Sequence, residues 1–306
     1  MSRRRESEDK VTGVVVINKH EGVTSYRIVQ ILRRLYNTHR VGHTGTLDPM
    51  ATGVLPILVG RAVKAADFIV AEDKEYIAEM TLGYTTDTED CTGEVLTECS
   101  HIPEESAVME AIQSFVGDIE QIPPMYSAIK VDGQKLVDMA REGIVVERKP
   151  RTVTIHSIEA EKLSDKVYKL RVTCSKGTYI RTLCADIGEK LGCGAVMSKL
   201  TRTRSGGFDI SHSYTLEQIE NMTEDERAAI VAPTESLFTD KPKIEVNDFY
   251  AKLIRGGTEL YQKKLKTDIP DCEYVRIIHN GEFIALGQVT EFPQGSAVKP
   301  VKLFVL

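Results

Sequence analysis

The sequence predicts a soluble, globular chain of two domains that intersperses strands with helices and ends in a small β-rich unit. Three observations carry this. At 306 residues the chain is about twice the usual ~150 residues of one domain. Strand and helix periodicities alternate along most of it; near Lys241-Pro242-Lys243 they give way to short β-like runs with turns at Gly256-Gly257, Asn280-Gly281 and Gly295. The composition, 42% hydrophobic and 27% charged with 22 Gly and 11 Pro, is that of an ordinary folded protein. It excludes disordered, collagen-like and coiled-coil chains.

In order along the chain, residues 14–17 read as a short buried strand. Thr24 and Ser25 are N-cap residues for a helix whose inner face is Ile28, Val29, Leu32, Leu35 and Tyr36, with Arg27, Arg33 and Arg34 outside. Residues 41–55 (VGHTGTLDPMATGVL) contain Gly42, Gly45, Pro49 and Gly53. That many breakers predict a structured loop, with neither helix nor strand. Residues 76–82 form a strand, and residues 106–116 a helix on Val108, Met109, Ile112 and Phe115. Pro123-Pro124 is stiff and extended; an amphipathic segment with Leu136, Met139 and Ala140 follows, stopped by Gly143. Residues 125–151 carry ten charges and few large apolar residues, predicting an insertion that projects from the body.

Tyr168, Leu170, Val172 and Cys174 alternate with Lys169, Arg171 and Thr173, the strongest strand signal in the chain. Thr178 can cap a helix with Ile180, Leu183, Ile187 and Leu191 on one face, and residues 217–230 predict a second, acidic helix. The domain boundary falls at about residue 242.

Net charge is −6, which argues at first against a polyanionic partner. The average hides segregation. Residues 18–64 hold seven Lys/Arg against two Asp/Glu, and residues 166–204 nine against two. Residues 71–110 hold one against twelve, and residues 205–240 one against eight. Two basic segments can converge into one positive face, with acidic surfaces elsewhere. The six cysteines, Cys91, Cys99, Cys174, Cys184, Cys193 and Cys272, lack zinc-knuckle spacing and read as reduced, small hydrophobes. The apolar run at residues 54–59 is short and contains Pro56, so no membrane span fits it. The start MSRRRESEDK has no apolar run behind its basic residues. The expected location is the cytoplasm.

Several motifs fail. There is no GxxxxGK[ST], no GxSxG and no HExxH, and Gly192-Cys193-Gly194 leads to Met197 where a dinucleotide fingerprint needs glycine. Gly42-His43-Thr44-Gly45 fits a KH-type clamp weakly, without the flanking helices. What remains is Asp48. An aspartate before proline in a Gly-rich loop ordinarily makes an Asx turn. The functional alternative is a carboxylate held up by a rigid loop beside which Gly42 and Gly45 allow a ligand to come close.

Four blocks occur in order: VGHTGTLDPMATGVL, Lys74-Glu75-Tyr76, Pro123-Pro124-Met125-Tyr126-Ser127-Ala128, and Cys174-Ser175-Lys176-Gly177-Thr178-Tyr179-Ile180-Arg181. Together they strongly resemble the TruB family of tRNA pseudouridine-55 synthases. The resemblance spans about residues 14–208. One departure is His20, which follows Lys19 where the family usually has proline; a local backbone change is expected there.

The resemblance implies an α+β pseudouridine-synthase fold around a long mixed, mainly antiparallel sheet. It implies a catalytic domain at 1–242, with a thumb-like insertion at about 125–151, and a PUA-like RNA-binding domain at 243–306. The family isomerises a uridine in the tRNA T-loop: the N-glycosidic bond breaks, the uracil turns, and C5 bonds to C1′. That chemistry needs no cofactor and no metal. By resemblance Asp48 is the nucleophile, Arg181 its partner, and Tyr76 an active-site tyrosine against the uracil that serves in deprotonation at C5. Tyr179 and Leu200 border the base, Lys19 binds the substrate, and His43 fills the space vacated by the flipped base. Lys130, Lys135, Arg141, Arg148, Lys149 and Arg151 of the thumb would contact phosphates. The implied partner is the T-arm of tRNA, bound by a monomer without guide RNA or membrane. A tRNA-folding protein with catalysis secondary is the alternative; the intact set Asp48, Tyr76 and Arg181 favours the enzyme.

Overall fold

The computed structural model describes residues 10–69, 73–127, 129–131, 133–271 and 273–305. The side chains of Lys130 and Lys135, expected at phosphates, and Cys272 lie outside the described residues. The chain begins with β1 (Gly13–Lys19), the buried strand expected from its valines, and Thr24 caps α1 (Ser25–Leu35) by accepting from the Arg27 amide. Ile28, Val29, Leu32 and Tyr36 turn inward as their spacing requires.

The Gly-rich stretch is a loop only in its middle. β2 (Val41–His43) runs into it and β3 (Thr52–Val59) runs out, which corrects the expectation of a loop throughout residues 41–55. The breakers are tolerated for local reasons. Gly53 has φ +100°, and a Cβ there would lie 2.2 Å from the Arg202 carbonyl oxygen. Pro56 sits just beyond the end of β2, and its carbonyl accepts from the Thr44 amide at 3.2 Å. Facing Thr44 just past β2, it forgoes only the reciprocal bond to Thr44 O.

A 3₁₀ turn leads to α2 (Ala66–Ile69), then β4 (Lys74–Leu82), the hairpin of β5 (Tyr84–Thr86) and β6 (Val95–Glu98), α3 (Glu105–Gln113) and β7 (Gly117–Gln121). The insertion holds β8 (Lys130–Val131), β9 (Gln134–Lys135) and α4 (Leu136–Arg141), with Gly143 just past the helix at φ +74°. β10 (Arg151–Lys162) and β11 (Val167–Cys174) return to the body. α5 (Ile180–Leu191) follows, capped differently from expectation: Tyr179 is its first flanking residue, and the Thr178 hydroxyl donates to Ser175 O instead. After β12 (Ala195–Ser205), β13 (Phe208–Asp209) and β14 (Tyr214–Thr215) come α6 (Leu216–Asn221) and α7 (Glu224–Ala229). The single helix expected over 217–230 is therefore two. Thr223 opens a capping box with Glu226 and restarts the helix.

The main sheet has the order β14-β1-β3-β12-β4-β11-β10-β7. It is antiparallel except where β1 meets β14 and β12 meets β3. Side chains of α1, α3 and α5 share one core with its strands, among them Ile28, Leu32, Ile112, Leu183, Ile187, Leu55 and Met80. This topology also redistributes charge. β4, from the acidic stretch, lies between β11 and β12, from the basic one, so Glu75 pairs with Arg171 at 2.8 Å and Glu79 with Lys199 at 3.0 Å. Lys19, Arg181 and Arg202 are buried. Segregation along the sequence thus overstates segregation in space.

The C-terminal unit comprises β15 (Lys243–Val246), α8 (Asp248–Arg255), β16 (Leu260–Tyr261), α9 (Gln262–Leu265), β17 (Tyr274–His279), β18 (Glu282–Phe292) and β19 (Gly295–Leu303). Its sheet runs β15-β17-β18-β19-β16 over a core of Ile244, Ile254, Val275, Ile277 and Val289. A third apolar cluster joins the two sheets: Val14, Leu58, Ala62 and Phe238 pack with Ile278, Phe283, Leu286 and Phe304.

Candidate active site

The loop between β2 and β3 is held by its backbone from several sides. Ser25 Oγ donates to Leu47 O at 3.0 Å and accepts from the Leu47 amide at 2.9 Å. The Gly22 amide reaches Pro49 O at 2.8 Å, and Leu47 and Ala51 anchor the loop in the core. Lys19 is fully buried and donates to the carbonyls of His20, Pro49 and Ala51. Its ammonium thus braces the loop that carries Asp48. Burial pulls its pKa down to about 8, against the attraction of Asp48 and Glu21. His20 stays exposed at the end of β1, giving its carbonyl to Lys19.

Asp48 opens a turn through its backbone, the Ala51 amide donating to Asp48 O at 3.1 Å, and its side chain turns to Arg181. Its Oδ2 stands 3.1 Å from Arg181 Nε, with a third of the side chain open to solvent. Arg181, in the first turn of α5, is 5% exposed; it also donates to Thr88 O and Tyr126 O and faces Asp90 Oδ2 at 3.5 Å. Asp90 is oriented in turn by Thr88 Oγ1, the Thr92 amide and Thr92 Oγ1 on its other oxygen. Burial pushes the Asp48 carboxyl above the usual carboxylate range; Arg181 pulls it back, Asp90 adds to the rise, and Lys19 opposes it.

Tyr76 on β4 is buried, and burial raises its phenol while the charge of Arg202 lowers it. Leu200 on β12, 8% exposed, pairs with Ala78 across from β4. Tyr179 is fixed by a reciprocal pair with buried Gln121, whose amide accepts from Tyr179 N at 2.8 Å and donates to Tyr179 O at 3.0 Å. His43 ends β2, half-buried, with Nδ1 enclosed and unpartnered; burial first, then Arg202, lowers its pKa and keeps the imidazole neutral. The insertion is tied down at its base by Arg181 to Tyr126 O, Tyr126 Oη to Asp87 at 3.1 Å, and Arg148 to Pro123 O at 3.1 Å. Arg141, Lys149 and Arg151 are exposed.

Sequence reasoning therefore names Asp48, Arg181, Tyr76, Tyr179, Leu200 and His43 on elements that the fold brings together, and misses Asp90, Gln121 and Arg202. Arg202 carries a signal: it is two residues from inward-facing Leu200 on one strand, hence on the same face.

A family profile described as TruB family pseudouridylate synthase (N terminal domain) matches residues 33–180, and one described as tRNA pseudouridylate synthase B C-terminal domain matches residues 181–239. A chain of the crystal structure of a Cbf5–Nop10–Gar1 complex superposes with a TM-score of 0.72 at 28% identity, covering 96% of this chain and 85% of that one. A chain of the archaeal box H/ACA sRNP Nop10–Cbf5 complex gives 0.69 at 27%, covering 99% and 89%. The fold and the arginine-backed carboxylate, taken with the matched profile, define a pseudouridylate synthase. Proteins named tRNA pseudouridine synthase B from Clostridium tetani and from Francisella tularensis subsp. novicida are each 44% identical to it. The first match covers 96% of this chain and 100% of the relative, the second 94% and 93%. The chain belongs to the TruB family.

Proposed function

We propose that the chain converts uridine 55 in the T-loop of tRNA to pseudouridine, with Asp48 as the nucleophile. The observation that carries this reading is the 3.1 Å contact between Asp48 and Arg181 on a loop pinned by Lys19 and Ser25. A carboxylate nucleophile must be ionised and oriented, and an adjacent guanidinium does both. In the reaction the C1′–N1 bond breaks, the uracil turns within the pocket, and a C5–C1′ bond forms. The C5 proton leaves and N1 gains one, so no oxidant, phosphate donor or cofactor enters. Tyr76 lies against the uracil and serves the loss of the C5 proton; Tyr179 and Leu200 border the ring. His43, neutral and flat, takes the place of the extruded base and offsets part of an unstacking cost of a few kcal/mol.

The thumb cations hold phosphates of the T-arm, residues 243–306 add RNA contacts as a PUA-like domain, and the protein acts as a monomer in the cytoplasm without guide RNA. The test is incubation with unmodified tRNA followed by mapping of pseudouridine. The expected product is pseudouridine at position 55 alone, formed equally in EDTA once the tRNA is folded. Absence of product, or product only at other positions, would overturn the reading.

A further inference from the structure

We infer that Arg202 is a positioning residue for this reaction, one that sets the nucleophile's loop against the strand of Tyr76. The inference rests on the proposed chemistry at Asp48. Arg202 is 1% exposed, the foremost of the large fully buried side chains. Burying a guanidinium is costly, and a well-packed apolar residue of similar volume often serves stability as well or better. Among the described residues no carboxylate stands within ion-pair distance of it, so charge neutralisation does not account for its place.

Its donors do. Nε gives a 2.7 Å hydrogen bond to Val54 O and Nη2 a 3.1 Å bond to Gly45 O. These carbonyls lie on the two limbs of the loop, Gly45 before Asp48 and Val54 after it, so one rigid fork ties both limbs together. The same residue sits directly opposite Tyr76 in the β12–β4 register and opposite Gly53 in the β12–β3 register. The approach is close on both sides: a Cβ on Gly45 would lie 3.4 Å from Nη1, and one on Gly53 2.2 Å from Arg202 O. Arg202 thus ties together the elements that carry Asp48 and Tyr76: its donors hold the loop of Asp48, and its guanidinium also meets the Tyr76 side chain. Its cation also bears on both Tyr76 and His43.

The experiment uses full-length protein in excess over unmodified tRNA, so that one turnover is followed by pseudouridine mapping, with tRNA affinity and a thermal melt measured in parallel. Arg202→Gln should slow the saturated single-turnover rate by about a hundredfold, the scale of a 1 Å misplacement of reacting groups, while tRNA affinity stays within about threefold. Arg202→Lys, which keeps the charge and can serve one carbonyl, should recover part of that loss. Gly45→Val presses on Nη1 from the loop side. It should slow turnover alone, and its effect should be mostly absent on the Arg202→Gln background, because the two changes break one contact.

A folded Arg202→Gln protein with the parent rate, or with a loss no larger than its loss of folded fraction, would overturn the inference. If that variant does not fold, a folded Gly45→Val protein with the parent rate overturns it equally. A parent protein that makes no pseudouridine counts against the proposed function instead, which keeps the two failures apart.

Discussion

Asp48 Oδ2 and Arg181 Nε meet at 3.1 Å, yet the guanidinium does not depend on that contact for its place. Thr88 O and Tyr126 O accept from its other nitrogens and Asp90 faces it at 3.5 Å. The loop beneath Asp48 is fixed just as independently, by Ser25, Lys19 and Gly22. The carboxylate is therefore held between two supports that would survive its removal.

The first prediction follows from that independence. Asp48→Asn keeps shape and both supports but removes the nucleophile, so turnover should vanish while tRNA affinity stays within about tenfold, ~1.4 kcal/mol. Stability should move the other way. The folded-state pKa of Asp48 is raised, so the folded protein binds this proton more readily than the unfolded chain, and ionisation at neutral pH costs stability. Asn should raise Tm at pH 7, and the gain should shrink as pH falls through the carboxylate range and Asp48 protonates. Retained pseudouridine formation, or a Tm gain that grows in acid, would contradict this.

The pH profile of the saturated single-turnover rate should have two limbs. On the acid side the rate falls as Asp48 protonates, at a pH above the usual carboxylate value because burial raises it. On the alkaline side it falls near pH 8, where Lys19 loses the proton that lets it serve three loop carbonyls and attract Asp48. Lys19→Met should slow turnover and remove the alkaline limb. A parent profile flat from pH 7 to 9 would refute the role of Lys19.

The sequence made some of this legible and hid the rest for physical reasons. Strict alternation disclosed β11, and spacing with a Thr cap disclosed α1, because both report one buried face. The Gly-rich segment misled: Gly53 lies inside β3, opposite Arg202, whose carbonyl comes too close for any side chain, a fact of tertiary pairing. The acidic helix split because Thr223 and Glu226 form a capping box, a signal present in the sequence but masked by continuous polarity. At the site, Asp48 and Arg181 were named by family blocks, while Asp90, Gln121 and Arg202 support others and carry no motif of their own.

Charge makes a third prediction. Several basic residues of the two cationic segments are buried or paired within the main sheet, so tRNA affinity should depend on the exposed remainder and on the thumb. Log K against log [salt] should be linear, with a slope of roughly −0.7 to −0.9 per phosphate contact. Lys149→Ala with Arg151→Ala, both exposed, should flatten it by about one to two units. Changing Lys199, bound to Glu79 at 3.0 Å, should leave the slope unaltered. A slope near zero in the parent would mean that these cations do not meet phosphates.

The fourth prediction separates fold from chemistry. Phe304, 3% exposed, stacks on Phe283 at 5.1 Å between ring centroids and lies 6.1 Å from Phe238. Through this cluster the second sheet seals Val14 and Leu58 of the first and Ala62 of the 3₁₀ turn beside it. Phe249 is largely exposed and Leu253 and Ile254 pack within the C-terminal core, so none of those three forms the seal. Phe304→Ala should cost ~3–5 kcal/mol, the usual range for a buried phenylalanine, and a chain ended at about residue 240 should aggregate when its uncovered apolar face meets water. Yet the nucleophile's loop, Arg181 and Tyr76 lie outside the cluster. Below its lowered Tm, Phe304→Ala should therefore isomerise an isolated T-arm hairpin at nearly the parent rate per folded molecule. A folded Phe304→Ala protein with no hairpin activity would show that the joint between the sheets takes part in the active site, and a well-folded, monomeric 1–240 chain would show that the seal is dispensable.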